Sequence, residues 1–279
     1  MPYQSKINMI SIITINRNNA DGLRATMESV FAQTFTDFEY IVVDGASTDD
    51  SLDVVKEFDD RPKAFRWKWI SEPDSGIYCA MNKGIRMSSG DYLLMLNSAD
   101  TLVNEYVIER MMPLLGDADV VQGNVFEVGK DGKRLNRSFG KSDITFFDVL
   151  DGFFLHQAAF VRMSVYEEYG LYDESYKKNA DTFFFYNVLG FGNASFKYVD
   201  VTISNYDTNG ISGNPQWAAI DKEERERFVK ENIPNRLYAE YQNSYKKIKL
   251  YNNLKQYKIV WLGTMLLARV ANVYRRITQ

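Results

Sequence analysis

The chain has 279 residues, enough for one large domain or a domain with an appendage. At 45% hydrophobic and 25% charged residues it has the composition of an ordinary globular protein, which excludes a disordered or fibrous class. The net charge is −4, and a single cysteine, Cys79, excludes an internal disulfide framework; with no charged leader and cleavage site at the start, a reduced, cytosolic chain is expected.

In chain order, the isoleucine-rich stretch 9–15 predicts a first strand. Residues 20–33 read as a helix with Leu23, Met27, Val30 and Phe31 on one face. A second strand over 38–44 leads to a short helix over 50–58, and a third strand over 65–71 to a helix over 77–88. A fourth strand over 92–96 leads to a helix over 104–115, and a fifth strand follows at 119–125. Strands near-continuous in apolar residues and separated by helices predict an α/β fold, with a mostly parallel sheet covered on both faces. The second half is less regular. A hairpin is expected around Asp131 and Gly132, then a loop with Gly152 and a short strand at 158–161. Helices at 163–169 and 180–189 and a strand at 196–203 follow. Residues 216–230 and most of 236–279 read as helical. No linker interrupts 1–213, so that stretch is expected to be one domain and 214–279 a helical C-terminal extension.

In an open α/β sheet, ligands bind beyond the carboxyl ends of the strands. After the first strand come Asn16, Arg17 and Asn18; after the second, Asp44, Gly45 and Ser47. After the third come Glu72, Asp74 and Gly76; after the fourth, Asn97 and Asp100. Each group also has a local explanation. Asp44, Ser47 and Asp49 suit turn and N-cap positions, "EPDSG" is a turn sequence, and Asp100 can cap the next helix, although Asn104 is better placed. Carboxylates gathered along one edge repel unless a cation or hydrogen-bond donors sit among them. Neither a Gly-x-Gly-x-x-Gly turn nor a Walker lysine loop is present. A divalent metal on a carboxylate is then the simplest way to neutralise phosphate.

The stretch "ISIITINRNNADGLRATMESVFAQTFTDFEYIVVDGASTDDS" resembles the opening of family 2 glycosyltransferases, and "SEPDSGIYCAMNKGIRMSSGDYLLMLNSAD" continues the pattern. So do "HQAAFVR", "NADTFFFYNVLGFG" and "NGIS", so that the resemblance spans roughly residues 8–213. It looks closest to the branch that builds bacterial exopolysaccharide, capsule and lipopolysaccharide repeats. The resemblance implies the GT-A fold, a Rossmann-like α/β domain, and an inverting transferase that uses a nucleotide-activated sugar, with UDP-sugar the expected donor. Carried over by position, it implies that Thr14, Asn16, Asn18, Ser47, Asp74, Lys83 and Asn97 hold the nucleotide sugar, and that Asp44 hydrogen-bonds the base. "NSAD" stands where the family has its Asp-x-Asp metal motif, which makes Asp100 the ligand of a manganese or magnesium ion; the first acid of that motif is absent. Asp181 stands where the family has its catalytic base, and His156 and Gln157 are expected on the acceptor side. Cys79 occupies a position where this branch often has an acid. Tyr206 and Trp217 are candidates to stack on sugar, while Phe183, Phe184 and Phe185 read as core. His156, the one histidine, also has the reading of a structural hydrogen bonder. Two other functions stay open on the residues alone: a nucleotidyltransferase on a similar sheet, and a nucleotide-sugar-binding module that has lost turnover.

The charge is unevenly distributed. From Tyr241 to Gln279 there is no acidic residue, while Lys246, Lys247, Lys249, Lys255, Lys258, Arg269, Arg275 and Arg276 are basic. The apolar run before Arg269 is about ten residues, short of the roughly twenty a spanning helix needs. Trp261, Leu262, Met265, Leu266 and Arg269 instead suggest a helix lying in the headgroup region of an anionic membrane, or packing on protein. The expected partners are a nucleotide sugar, a saccharide or lipid-linked saccharide acceptor and an anionic membrane surface. A second copy of the chain is left open as a further partner, and nucleic acid is not expected. The expected location is the cytoplasm, peripheral to the inner face of the cell membrane.

Overall fold

The computed structural model describes residues 7, 9–129, 132, 134–138, 140–150, 154–208, 210 and 215–255, the last eight by backbone only. The chain divides into two compact units, Met1–Arg225 and Glu226–Gln279. The first unit is built on a single sheet. Strands β1 (Ile10–Asn16), β2 (Phe38–Asp44), β3 (Arg66–Ser71) and β4 (Tyr92–Met95) are parallel neighbours in the order β3-β2-β1-β4. Helices α1 (Ala20–Phe31), α2 (Ser51–Asp59) and α3 (Ile77–Met87) connect them.

The sheet positions follow the period of two along a strand. Even-numbered residues of β1 and β2 (Ile10, Ile12, Phe38, Tyr40, Val42) are buried together with Leu23, Met27 and Val30 of α1 and Val54, Val55 and Phe58 of α2. Odd-numbered residues meet α3, where a Cβ on Gly84 would lie 2.3 Å from Cγ2 of Ile13. Gly84 therefore permits the close helix-to-sheet approach, and a larger residue would push α3 away. Burial of each such Ile, Leu or Phe side chain contributes roughly 1.5–3 kcal/mol.

Beyond β4 the sheet becomes mixed. β5 (Thr101–Leu102) is followed by α4 (Val107–Met111) and then β6 (Val120–Val128), β7 (Arg134–Arg137) and α5 (Phe146–Leu150). β8 (Ala159–Arg162) runs antiparallel between β4 and β6. After α6 (Met163–Tyr169) and α7 (Ala180–Phe185) comes β9 (Phe196–Asp207), which pairs parallel with β6 and antiparallel with β5. Helices α8 (Ala218–Asn232) and α9 (Asn235–Lys255) complete the described chain.

The expected α/β sheet is present, with local differences. The helix expected over 104–115 is cut to α4 and a 3-10 turn over Met112–Leu114, because Pro113 lacks the N–H needed to continue the ladder. The helix expected over 180–189 runs as α7 and then as a π-helical stretch over Tyr186–Phe191. β9 extends past the expected 203 to Asp207, drawing support from β5, a two-residue strand too short to leave a periodic signature. β6 and β7 form the expected hairpin, with Gly132 at φ 71°; Asp131 and Gly152 lie outside the described residues. So do residues 256–279, which carry the expected membrane-lying segment. Among the described residues no helix is long and apolar enough to cross a membrane.

Candidate active site

The carboxyl ends of β1, β2 and β3 finish in register: Asn16 lies beside Asp44, and Asp44 beside Ser71. This alignment decides what Asp44 does. Its carboxylate accepts from Asn16 Nδ2 (2.9 Å), Ser47 Oγ (2.5 Å), the Ser47 N–H (2.9 Å) and Ser71 Oγ (2.7 Å). Those four bonds use its acceptor sites. Burial pushes the Asp44 carboxyl up, but the Ser47, Ser71 and Asn16 donors outweigh it and hold its pKa below the ordinary carboxylate value. Asp44 is fully buried, and in the fold it ties three strand ends together. It also orients Asn16. With Nδ2 given to Asp44, Oδ1 of Asn16 is the atom left over, buried and without a hydrogen-bond partner.

A cleft of about 600 Å³ opens at this edge, within the usual size range of small-molecule sites. Asn16 and Arg17 line it after β1, Asp74 after β3, Asn97 and Asp100 after β4, and Tyr206 and Asp207 at the end of β9. His156, Lys177, Lys178, Asp181 and Tyr78 line the facing side. Asp74 is held by Lys83 in an ion pair at 2.6 Å, and Lys83 also meets Glu72 at 2.8 Å. Lys83 is thus a support behind the wall and does not line the cleft.

Several of the expected residues make contacts within the fold. Thr14 faces the core, as its even position on β1 requires; its hydroxyl donates to the Leu96 carbonyl (2.7 Å) and lies 3.0 Å from the Tyr40 hydroxyl. Asn18 and Ser47 lock the loops after β1 and β2 together, with Asn18 N–H donating to Ser47 Oγ (2.8 Å) and Thr48 N–H to Asn18 Oδ1 (2.7 Å). Gln157 is 1% exposed and does not line the cleft. Trp217 sits in a 3-10 turn away from the lining, and Phe183, Phe184 and Phe185 are buried.

Asp100 ends a turn in which Ala99 takes φ 81°. Its Oδ1 accepts from the Asp207 N–H at 2.9 Å. Burial pushes its pKa up to about 7, with the neighbouring Asp207 charge adding to the rise and His156 opposing it. The Asp100 carboxylate, with the charge of Asp207 near it, offers hard oxygen donors at the cleft. Two hard oxygen donors of this kind suit a divalent ion that takes its remaining ligands from water and substrate phosphate. Asp100 and Asp207 therefore fit a metal, although among the described residues no group of three or more metal-ligating side chains is present. His156 is occupied otherwise: its Nε2 lies 3.1 Å from Asn97 Nδ2 and its Nδ1 lies 3.1 Å from Asp181 Oδ2.

Asp181 is the second residue of α7. The Tyr78 hydroxyl lies 2.9 Å from its Oδ1 and 2.5 Å from the Lys178 carbonyl, and donates its single proton to one of these at a time. Burial raises the Asp181 carboxyl, but the hydrogen bond and charge of His156 and the Tyr78 hydroxyl override it, so its pKa lies below the ordinary value. Burial lowers His156, and Asp181 and Asp100 more than reverse that, leaving its pKa raised. A chain of contacts, Asn97–His156–Asp181–Tyr78, therefore crosses the cleft from the end of β4 to the start of α7. Tyr78, Arg17, Lys177, Lys178 and Asp207 were not singled out from sequence. Of these, only Arg17 stood at an expected strand end.

A mostly parallel sheet with helices between its strands, whose carboxyl edge gathers acids at a cleft of small-molecule size, is the arrangement of a GT-A glycosyltransferase. The profile described as "Glycosyl transferase family 2" matches residues 11–170, and the chain belongs to that family. It is 31% identical over 221 residues to a PGL/p-HBAD biosynthesis glycosyltransferase of Mycobacterium bovis, covering 77% of this chain and 82% of that protein. It is 33% identical over 219 residues to an uncharacterized glycosyltransferase of Mycobacterium tuberculosis, covering 76% of this chain and 79% of that one. Among solved structures, S. aureus TarS 1–349 in complex with UDP-GlcNAc superposes with a TM-score of 0.60 at 19% identity, over 72% of this chain and 59% of that one. The mannosyltransferase PcManGT from Pyrobaculum calidifontis, in complex with GDP-Man and Mn2+, superposes with a TM-score of 0.55 at 14% identity, over 70% and 55%. The chain spans less than two thirds of these two solved chains, and the likeness establishes the shared fold.

Proposed function

We propose that this glycosyltransferase moves a sugar with inversion from a UDP-sugar to a saccharide acceptor carried on a lipid, in the assembly of a bacterial surface polysaccharide. The observation that carries the reading is the contact chain Asn97–His156–Asp181–Tyr78, which joins the strand end bearing Asp100 to the helix start bearing Asp181. Asn16 offers its unpartnered Oδ1 to a donor N–H or hydroxyl, and Asp74 borders the same wall. Asp181 stays ionised at neutral pH and takes the acceptor hydroxyl's proton as that oxygen attacks the anomeric carbon. The bond from that carbon to the diphosphate breaks on the opposite side, and its electron pair leaves with the nucleoside diphosphate. Arg17, Lys177 and Lys178 bring positive charge to the cleft where negative charge develops. Asp100, with Asp207 beside it, would hold a divalent cation, which when bound offsets charge on the diphosphate.

The test measures release of nucleoside diphosphate from a panel of UDP- and GDP-sugars with manganese, with NMR of the product's anomeric configuration. A retained configuration refutes the displacement; a GDP-sugar preference refutes the uridine assignment. The cytoplasmic, membrane-peripheral placement rests on the acid-free tail, whose basic residues each contribute about 1 kcal/mol near an anionic surface. Flotation with anionic liposomes should lose the protein at high salt, and a chain ending near residue 240 should not float. Equal flotation of that shortened chain refutes the tail's role.

A further inference from the structure

Glu224 on α8 makes contacts that the reaction as described does not use. Its carboxylate accepts from the N–H groups of Lys177 (2.5 Å), Lys178 (3.2 Å) and Asn179 (3.0 Å), and from Asn179 Nδ2 (3.1 Å). The residue is 7% exposed. All four partners are neutral N–H groups, so this is not an ion pair holding two helices together. The three backbone groups belong to the residues that lead directly into α7, where no helical carbonyl is available to them. Asp181 follows two residues later. The same short segment lines the cleft through Lys177 and Lys178, and its Lys178 carbonyl meets the Tyr78 hydroxyl. α8 reinforces the contact: Arg225 lies 3.5 Å from Asn179 Oδ1, and Lys178 Nζ lies 3.9 Å from Asp221.

We propose that Glu224 is a positioning residue for the transfer. By gathering the N–H groups of 177–179, its carboxylate fixes the first turn of α7 and so aims Asp181 at the acceptor hydroxyl. The proposal rests on the reading of Asp181 as the base. It makes the first half of α8 part of the catalytic machinery, in keeping with a first unit that runs to Arg225. A carboxylate suits the task because its two oxygens offer about four acceptor sites, one for each N–H present.

The test compares Glu224→Ala and Glu224→Gln with wild type in full-length protein, using a UDP-sugar turnover assay. For Glu224→Ala, kcat falls roughly ten- to hundredfold while donor KM stays within about twofold, because the base is misaimed and the strand-end residues are not. Formate then has four unpaired N–H groups to bind. It restores the Glu224→Ala rate saturably, whereas chloride at equal ionic strength does not. It also raises the melting temperature of Glu224→Ala and leaves that of wild type unchanged. Wild-type turnover in folded Glu224→Ala, or the absence of any formate effect on rate and melting, overturns the proposal. Should Glu224→Ala fail to fold, Glu224→Gln decides: it keeps the shape and one good acceptor, so an intermediate loss in kcat at unchanged KM supports the clamp and wild-type kcat overturns it. Asp181→Asn run alongside separates the two claims. Wild-type turnover in that variant refutes the base reading, while the formate-dependent melting of Glu224→Ala still reports on the clamp.

Discussion

Replacing Asp100 by Asn should make the protein more stable and less able to bind its donor. The carboxyl goes from an ordinary pKa of 3.8 to about 7 on burial. For an acid whose pKa is raised by folding, the native state is undisturbed below the unfolded value and loses stability as pH climbs toward the folded one. At about 1.36 kcal/mol per pKa unit, the full cost above both values is roughly 4 kcal/mol. Attraction to His156 is already included in that pKa, but partial relaxation around a buried charge reduces the realised cost to about 2–4 kcal/mol. Asn at position 100 retains an oxygen for the Asp207 N–H and carries no charge. Urea unfolding of wild type and Asp100→Asn should therefore coincide near pH 4 and separate progressively up to pH 8, the variant being the more stable. Manganese with UDP should stabilise wild type at pH 8 by mass action and leave Asp100→Asn unmoved. A variant less stable than wild type at pH 8, or a difference independent of pH, refutes the argument from burial. An equal response to manganese and UDP refutes the metal assignment.

Asp181→Asn should leave donor affinity nearly unchanged and lower turnover by roughly a hundredfold or more, the scale of lost general-base catalysis, measured as kcat in the UDP-sugar assay. Activity within a few-fold of wild type would reduce Asp181 to a helix-start residue. Asp44→Ala should cost about 3 kcal/mol in urea unfolding at neutral pH, because four donors lose a buried acceptor. The folded Asp44 pKa lies below its ordinary 3.8, so this stabilisation is present above that value and the deficit of the variant should shrink as pH falls below it. Ala99→Gly should raise stability by up to about 1 kcal/mol, read as a shift in the urea midpoint, since Ala99 holds φ 81° and glycine adopts that region without the Cβ clash.

The first four strands and the three helices between them were legible in the chain itself, because burial along one strand or one helix face leaves a period of two or 3.6 in neighbouring residues. The placing of Asp100 at a strand end and Asp181 at a helix start was legible for the same reason. Pairing between distant segments leaves no such mark. The insertion of β8 between β4 and β6, and the tie between β5 and β9 that brings Asp207 to Asp100, depend on partners remote in sequence. Thr14 shows the difference at a single position: its residue type suited a polar pocket, but the parity of its strand turned it into the core. Asp44 shows it in another way. A carboxylate at a strand end is visible in sequence; that Asn16, Ser47 and Ser71 would consume all its acceptor sites depended on the register of three strands. Residue type set which groups carry charge and can move a proton. Tertiary structure alone decided which of them face the cleft, because that depends on strand register and on helices such as α8 closing over loops far away in the chain.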